Sequence, residues 1–264
     1  MAESKTMRNA ITRRLLIVLL FTVALPLSAS NSADYDILNS HYHDPLFTAF
    51  TESLYNAEPI TRIYSHYDEL VAHIAEIDER EPAALLYAHA TVLLGKHLAV
   101  EEYCLDQDAG KSYLKIAEKA LHESSFSSEA FRSQAYAIEA ELAGGLFLIN
   151  PIENLFTYGL ASSKLIDKAL EYDEENFHAQ LMLGNRYLHA PILFGGSVRK
   201  ARKVAEICME MREGLPDFEL FSLYLLRTII STRTEDAETA RQWRDLSLEI
   251  YPGNRYIQSF FDDE

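Results

Sequence analysis

The sequence predicts an all-α fold in which antiparallel helix pairs stack side by side as an α-solenoid. Apolar residues recur at three- and four-residue steps over long segments, as in Ile63, Tyr67, Leu70 and Ile74. Proline and glycine are sparse, at 8 and 10 of 264 residues, so few helices are interrupted. Hydrophobic residues make up 48% of the chain, which is ample for a globular core.

Prolines and polar capping residues mark the predicted helix starts in chain order. Helices are expected to begin at or near Pro45, Pro59, Pro82, Ala109, Glu129, Pro151, Asn176, Ser197, Pro216 and Asp236, with a short last piece after Pro252. The run Ala143-Gly144-Gly145 is expected to end one helix, and Ala190-Pro191 is expected to end another.

The first 30 residues have the three-part pattern of a secretory signal peptide. Lys5, Arg8, Arg13 and Arg14 precede an apolar run of 13 residues, Leu15–Leu27, and small residues follow at positions 28–30. The run is too short to span a hydrocarbon core of ~30 Å, although an uncleaved N-terminal anchor is the alternative. We therefore expect a signal peptide at 1–30, a flexible leader at 31–43, and one TPR-like helical-repeat domain at 44–264. The mature protein is expected to be periplasmic or secreted, without a membrane span.

Charge and cysteine content limit the partners and the stabilising bonds. The formal charge of −16 repels phosphate backbones, so nucleic-acid binding is not expected. Two cysteines, Cys104 and Cys208, do not make a disulfide framework in a chain of this size. Cys208 is interpreted as a buried apolar residue, and pairing with Cys104 stays open.

Helix-closing segments recur with a common pattern at intervals of roughly 36 to 49 residues. The clearest are IAEKALHESSF (116–126), LIDKALEYDEENF (165–177) and AEICMEMREGLPDF (205–218). Together with LMLGNRY, in which Leu183, Gly184 and Tyr187 share a stripe, they resemble the tetratricopeptide-repeat (TPR) family over roughly residues 60–255. Gly184 would let neighbouring helix backbones approach closely. The resemblance implies stacked helix pairs with a concave binding face, and it does not specify a function.

Three units are longer than a TPR repeat, and the excess falls between the first and second helix of each pair. These inserts are Lys96–Asp108, Gly144–Tyr158 and Ala190–Gly196, and they are unusually apolar for loops. Two interpretations remain open: the inserts fold back as additional core, or they form an apolar rim that contacts a ligand or a protein.

No sequence motif points to chemistry. Nucleophile-elbow, H-E-x-x-H, phosphate-loop and C-x-x-C patterns are absent from the sequence. His41 and His43, or His66 and His73, lack a clearly placed third ligand. We therefore predict no enzyme activity, no metal site and no cofactor.

The sequence favours a non-catalytic exported scaffold that binds a protein partner in the cell envelope, through its concave face or the apolar inserts. The architecture is also similar to the T-component of tripartite (TRAP) uptake systems, which implies a role as a transport accessory. The alternative is a periplasmic binder of a small apolar ligand in a pocket formed by the inserts. The sequence does not predict an oligomeric state. Candidate binding residues are Tyr87, Gln134, Phe147, Ile149, Gln180, Asn185, Ile192 and Phe194.

Overall fold

A computed structural model describes residues 33–100, 105–234 and 236–260. Within these ranges the regular structure is entirely helical, which confirms the predicted all-α class. The α-helices are α1 (33–42), α2 (Pro45–Tyr55), α3 (Ile60–Ile74), α4 (Arg80–Ala99), α5 (Gln107–Glu123), α6 (Glu129–Ile149), α7 (Pro151–Asn154), α8 (Leu160–Tyr172), α9 (Phe177–His189), α10 (Val198–Glu210), α11 (Asp217–Arg233), α12 (Ala237–Ile250) and α13 (Arg255–Ser259). A π-helical turn occupies Leu155–Gly159, and a 3₁₀ turn occupies Ile192–Phe194.

Polar side chains cap the starts of many of these helices. In each case the side chain accepts a hydrogen bond from a backbone N–H of the first turn, which would otherwise lack a partner. The caps are Asp44, Asp106, Ser128, Asn150, Asn176, Ser197, Asp236 and Asn254. Helix starts that the sequence predicted from proline and polar residues are therefore largely confirmed.

The helices pack in consecutive pairs, as the repeat pattern predicted. The main pairs are α2 with α3, α4 with α5, α6 with α8, α9 with α10, and α11 with α12. The first helices of these pairs, which we call the inner helices, contact one another in the order α2, α4, α6, α9 and α11. Neighbouring pairs thus bury their apolar faces against each other.

The chain differs from an open solenoid because its last pair returns to its first. Helix α11 also contacts α2, so the set of inner helices is closed. The Asn254 side chain donates to the carbonyl of Tyr55 at 2.8 Å, and the Tyr55 and Tyr251 rings stack with centroids 5.0 Å apart. An open concave face is therefore replaced by an interior that the inner helices enclose.

The N-terminal end of the described chain enters this interior. Residues 33–42, all of which lie in the segment that the sequence suggested as a flexible leader, are helical. Tyr42 is 5% exposed, and its ring packs edge-on against Phe47, His89 and Phe218.

The prediction that Gly144 and Gly145 end a helix is wrong, because α6 runs through both to Ile149. A Cβ at Gly145 would lie 3.1 Å from the Cγ of Lys96, so glycine there permits a close helix crossing rather than a break. Gly184 plays the packing role predicted for it, since a Cβ there would lie 2.8 Å from Leu226.

No helix in the described ranges is long and apolar enough to cross a membrane. Cys208 is fully buried, and burial raises the pKa of its thiol to about 12. The proposed signal peptide and Cys104, with its open pairing to Cys208, fall outside the described residues.

Candidate functional site: a buried polar network, an adjoining cavity and an apolar edge

A polar network lies at the centre of the closed interior. His89 comes from α4, Glu141 from α6 and His178 from α9, and their exposures are 2%, 7% and 6%. Small residues flank His89, as in Ala88-His89-Ala90, and Ala140 precedes Glu141, which lets the inner helices approach closely enough for the three side chains to meet.

Glu141 is the acceptor on which the network converges. Its Oε2 lies 3.3 Å from Nε2 of His89 and 3.0 Å from Nε2 of His178, and its Oε1 accepts from Nζ of Lys96 at 2.5 Å. The two imidazole rings stack, with centroids 4.9 Å apart. Both histidines therefore donate through Nε2 to one carboxylate oxygen.

The opposite ring nitrogens are also satisfied, which fixes the tautomers. Nδ1 of His89 lies 2.9 Å from Oη of Tyr42, and Nδ1 of His178 lies 3.2 Å from Nε2 of Gln134. Gln134 in turn accepts through Oε1 from the Asn176 amide at 3.2 Å. Each imidazole thus donates at Nε2 and accepts at Nδ1.

The electrostatics favour a neutral His89 beside an anionic Glu141. Burial lowers the pKa of His89, against the opposing effect of Glu141. Burial would raise the pKa of Glu141, but Lys96 and the histidines outweigh it and hold that pKa well below its usual range. The Glu141–Lys96 ion pair therefore supplies the charge balance that a buried carboxylate needs.

The same three side chains place their nitrogen and oxygen atoms within 4.8 Å of one another, a spacing that a divalent ion could bridge. Their hydrogen bonds are already complete without an ion, and Lys96 occupies the second oxygen of Glu141. We interpret the cluster as a hydrogen-bonded network that holds α4, α6 and α9 together.

A cavity of about 510 Å³ adjoins this network. It lies where the inner helices α9 and α11 begin, between α1, α6 and the turns that precede those two helices. Its walls include Tyr35, Asp36, Leu38, Asn39, Tyr42, Gln134, Asp173, Glu174, Glu175, Asn176, Phe177, His178, Glu213, Gly214, Leu215 and Glu219. The described residues of the inserts do not contribute to these walls, so this is not the insert pocket that the sequence suggested.

Glu219, from the first turn of α11, is the most unusual residue of the cavity wall. It is 8% exposed, and no residue that the structure describes forms a hydrogen bond with its carboxylate. Burial raises its pKa to about 7, and proximity to His178 only partly opposes this shift.

The residues predicted for the concave face do not share an open surface. Gln134 is 4% exposed inside the network, and Tyr87 is half-buried against the main core. Gln180 and Asn185 are half-buried on α9, where each side-chain amide donates to a backbone carbonyl of α9 or of the preceding turn.

The residues predicted on the inserts divide between core and surface. Ile192 and Phe194 are exposed, at 88% and 47%. Phe147 and Ile149 are half-buried, and the Phe147 ring lies 3.2 Å from where a Cβ would sit on Gly159. In the first insert, Leu98 belongs to α4 and is fully buried.

The four most exposed apolar residues of the inserts form what we call the apolar edge: Ile152, Phe156, Ile192 and Leu193. They are exposed by 90%, 76%, 88% and 94%. The first two precede α8 and the last two follow α9, and these antiparallel helices are bridged by Asp167 and Arg186 at 3.3 Å. The segment before α8 and the segment after α9 therefore lie at the same end of the helix pairs, opposite the turn 173–176 that borders the cavity.

A basic patch adjoins the apolar edge in an otherwise acidic chain. Arg199, Lys200, Arg202 and Lys203, all exposed, occupy the first two turns of α10, directly after the Ala190–Gly196 insert. Lys200 lies over the ring of Tyr187, 5.1 Å from its centroid.

Sequence reasoning missed the network and Glu219. The signal was a charged or polar residue within an apolar helical face, at His89, Glu141, His178 and Glu219. Each histidine by itself resembles an ordinary core histidine, Glu219 resembles a helix-start acid, and Glu141 is a single acid in the middle of a helix. Only the folded chain shows that they meet.

No protein-family model matches the chain, and neither does any curated protein. Among solved structures, the chain is similar to the HusA haemophore from Porphyromonas gingivalis, with a TM-score of 0.47 and 20% sequence identity. The similarity covers 75% of this chain and 91% of the haemophore. We take no function from a similarity of this size.

Proposed function

We propose that the protein is a non-catalytic binding protein, exported from the cytoplasm, that docks on a protein partner through the apolar edge. The observation that carries this proposal is the exposure of Ile152, Phe156, Ile192 and Leu193, between 76% and 94%. Large apolar side chains exposed to this degree at one end of the helix pairs are typical of interaction sites. The N-terminal pattern of basic, apolar and small residues supports export.

The neighbouring charges define the partner's chemistry. The basic patch on α10 requires acidic groups on the partner, around an apolar centre that receives the apolar edge. An extended anionic bilayer fits less well, because the chain as a whole carries a formal charge of −16 and would be repelled by it. An acidic surface on a partner protein is smaller than a bilayer. It can contact the basic patch without lying against the acidic rest of this chain. An accessory role in an envelope transport system is one setting for such a partner.

The non-catalytic part of the proposal rests on how the polar side chains are used. The imidazoles of His89 and His178 and both oxygens of Glu141 are bound within the network. None of these groups is left to abstract or deliver a proton to a substrate without breaking that network.

Photo-crosslinking followed by reconstitution tests the docking surface. A photoreactive residue at Leu193, in cells that produce the protein, should yield one discrete protein adduct. The purified partner should then bind wild-type protein directly, and Leu193→Glu should weaken binding about 10- to 100-fold, since burying one leucine contributes ~1.5–3 kcal/mol. Binding should also weaken as salt is raised, because the basic patch contributes.

Ile37 on α1 is the matched control, since it is an exposed apolar residue, at 39%, beside the cavity at the opposite end of the helix pairs. A probe or a glutamate at position 37 should leave the adduct and the affinity unchanged. The proposal fails if positions 193 and 37 give the same adducts, or if Leu193→Glu binds like wild type. It also fails if the adduct is a second copy of this chain, or if the protein binds vesicles containing phosphatidylglycerol in place of any protein.

A further inference from the structure

We propose that the cavity beside the polar network binds a small organic cation, an amine or ammonium compound with an apolar body, whose charge meets Glu219. This site is separate from the apolar edge, because it lies at the opposite end of the helix pairs. It would persist if the partner docking proposed above were wrong.

The first step of the argument is the orphaned carboxylate. Glu219 is more than nine-tenths buried, lines the cavity, and receives no hydrogen bond from the residues that the structure describes. A buried carboxylate without a partner is strongly unfavourable, and buried charges are usually paired. Glu141, the neighbouring buried carboxylate, has that pairing in Lys96, so the absence at Glu219 is specific to the cavity.

The second step is the sign of the surrounding charge. Asp36, Asp173, Glu174, Glu175 and Glu213 also line the cavity, and the described lining contains neither lysine nor arginine. Carboxylates around a concave, partly apolar site raise the local concentration of cations and repel anions.

The third step is the apolar part of the wall. Tyr42 and Phe177 line the cavity with exposures of 5% and 8%, so their rings are fixed by packing. Aromatic faces attract organic cations, and their apolar area favours a ligand with a hydrocarbon body over a hydrated metal ion. The volume of about 510 Å³ suits a small organic molecule.

Protonation of Glu219 gives the site a measurable signature. Burial raises the pKa of Glu219 to about 7. The titratable groups that interact electrostatically with its carboxylate are Tyr42 from α1, Glu141 from α6, His178 from α9 and Cys208 from α10. A bound cation favours the ionised carboxylate, so binding should release protons near neutral pH and should strengthen as pH rises through about 7.

Isothermal titration calorimetry with a shape-matched series tests the site on the full-length protein. The probes are 2-phenylethylamine, the neutral 2-phenylethanol and the anionic phenylacetate. We expect the amine to bind at least about 10-fold more tightly than the alcohol, and phenylacetate not to bind. Titrations in two buffers of different ionisation enthalpy should show proton release with the amine alone.

Glu219→Gln, which keeps the side-chain shape, should weaken amine binding at least about 10-fold, abolish proton release and leave alcohol binding unchanged. Glu249→Gln on α12 makes the same charge change on an exposed residue outside the cavity, and it should bind like wild type. Circular dichroism establishes that both variants are folded. Equal binding of amine and alcohol, wild-type binding by Glu219→Gln, or no amine binding up to about 10 mM would each overturn the proposal.

Discussion

At the scale of single residues, two buried carboxylates, Glu141 on α6 and Glu219 on α11, have opposite electrostatic environments. Glu141 accepts from a lysine and two imidazoles, and its pKa lies well below the usual range. Glu219 has no such donors, and its pKa is raised to about 7 by burial. The first side chain stabilises the fold as an anion, while the second favours its neutral form until a cation approaches.

This contrast predicts a pH-dependent stability contribution from Glu219. Its pKa is 4.5 in the unfolded chain and about 7 in the folded protein, so between these values the folded state retains a proton that the unfolded state releases. Wild-type stability should therefore fall, relative to Glu219→Gln, as pH rises through this window. The difference should reach on the order of 3 kcal/mol above pH 7.

Urea unfolding of both proteins at about pH 5 and about pH 8 measures this difference. Replacing the carboxyl group with an amide also changes the unfolding free energy in a way that does not depend on pH. Titration of Glu219 is therefore measured by how much the difference between the two proteins changes from one pH to the other. A stability gap that is equal at both pH values would mean that Glu219 does not titrate in this window.

At the scale of helices, close approaches depend on glycines that sequence reasoning interpreted with mixed success. Gly184 was correctly assigned to a helix contact, because LMLGNRY places it on an apolar stripe. Gly144 and Gly145 were assigned to a helix end, since paired glycines weaken a helix. Helix α6 continues through them because its neighbours α4, α5 and α8 pack against it, and such tertiary packing cannot be seen in the local sequence.

Gly184→Leu should destabilise the protein by about 2 kcal/mol or more, because a Cβ at this position would already lie 2.8 Å from Leu226 and 3.5 Å from Val204. Gly144→Ala is the contrasting variant. The nearest atoms to its new Cβ are 3.8 Å away, so it should stabilise the helix by about 0.5–1 kcal/mol. Denaturant unfolding gives both values, and an unchanged stability for Gly184→Leu would show that the helices are not apposed there.

At the scale of the whole molecule, the sequence predicted the helix pairs and their order but not their closure. Helix periodicity and caps are local, so the all-α class and most helix starts could be identified from the sequence. Closure depends on contacts between residues about 200 positions apart, such as Asn254 with Tyr55 and Tyr251 with Tyr55. The candidate site shares this dependence, because the network and cavity exist only where α1, α4, α6, α9 and α11 meet.

The two surfaces to which we assign binding lie at opposite ends of the closed set of helix pairs. The cavity lies where α9 and α11 begin and is surrounded by carboxylates, whereas the apolar edge and the basic patch lie at the other end of the same helix pairs. A ligand in the cavity and a partner on the edge would therefore not compete for the same side chains. Both would act on the inner helix α9, which borders the cavity at Phe177 and His178 and reaches the apolar edge at its end.

If closure stabilises the whole set of helices, weakening it should affect both ends of the chain at once. Asn254→Ala removes the bond to the Tyr55 carbonyl and the cap on Ile257, and it should lower the free energy of unfolding by about 1–3 kcal/mol. Hydrogen exchange should then speed up in α2 as well as in α12, because α2 loses its partner in the last unit. Asn185→Ala, which removes only a bond to a carbonyl within α9, is the control and should leave exchange in α2 unchanged. Faster exchange confined to α12 and α13 would mean that the first and last units unfold independently and that the closed arrangement adds no cooperativity.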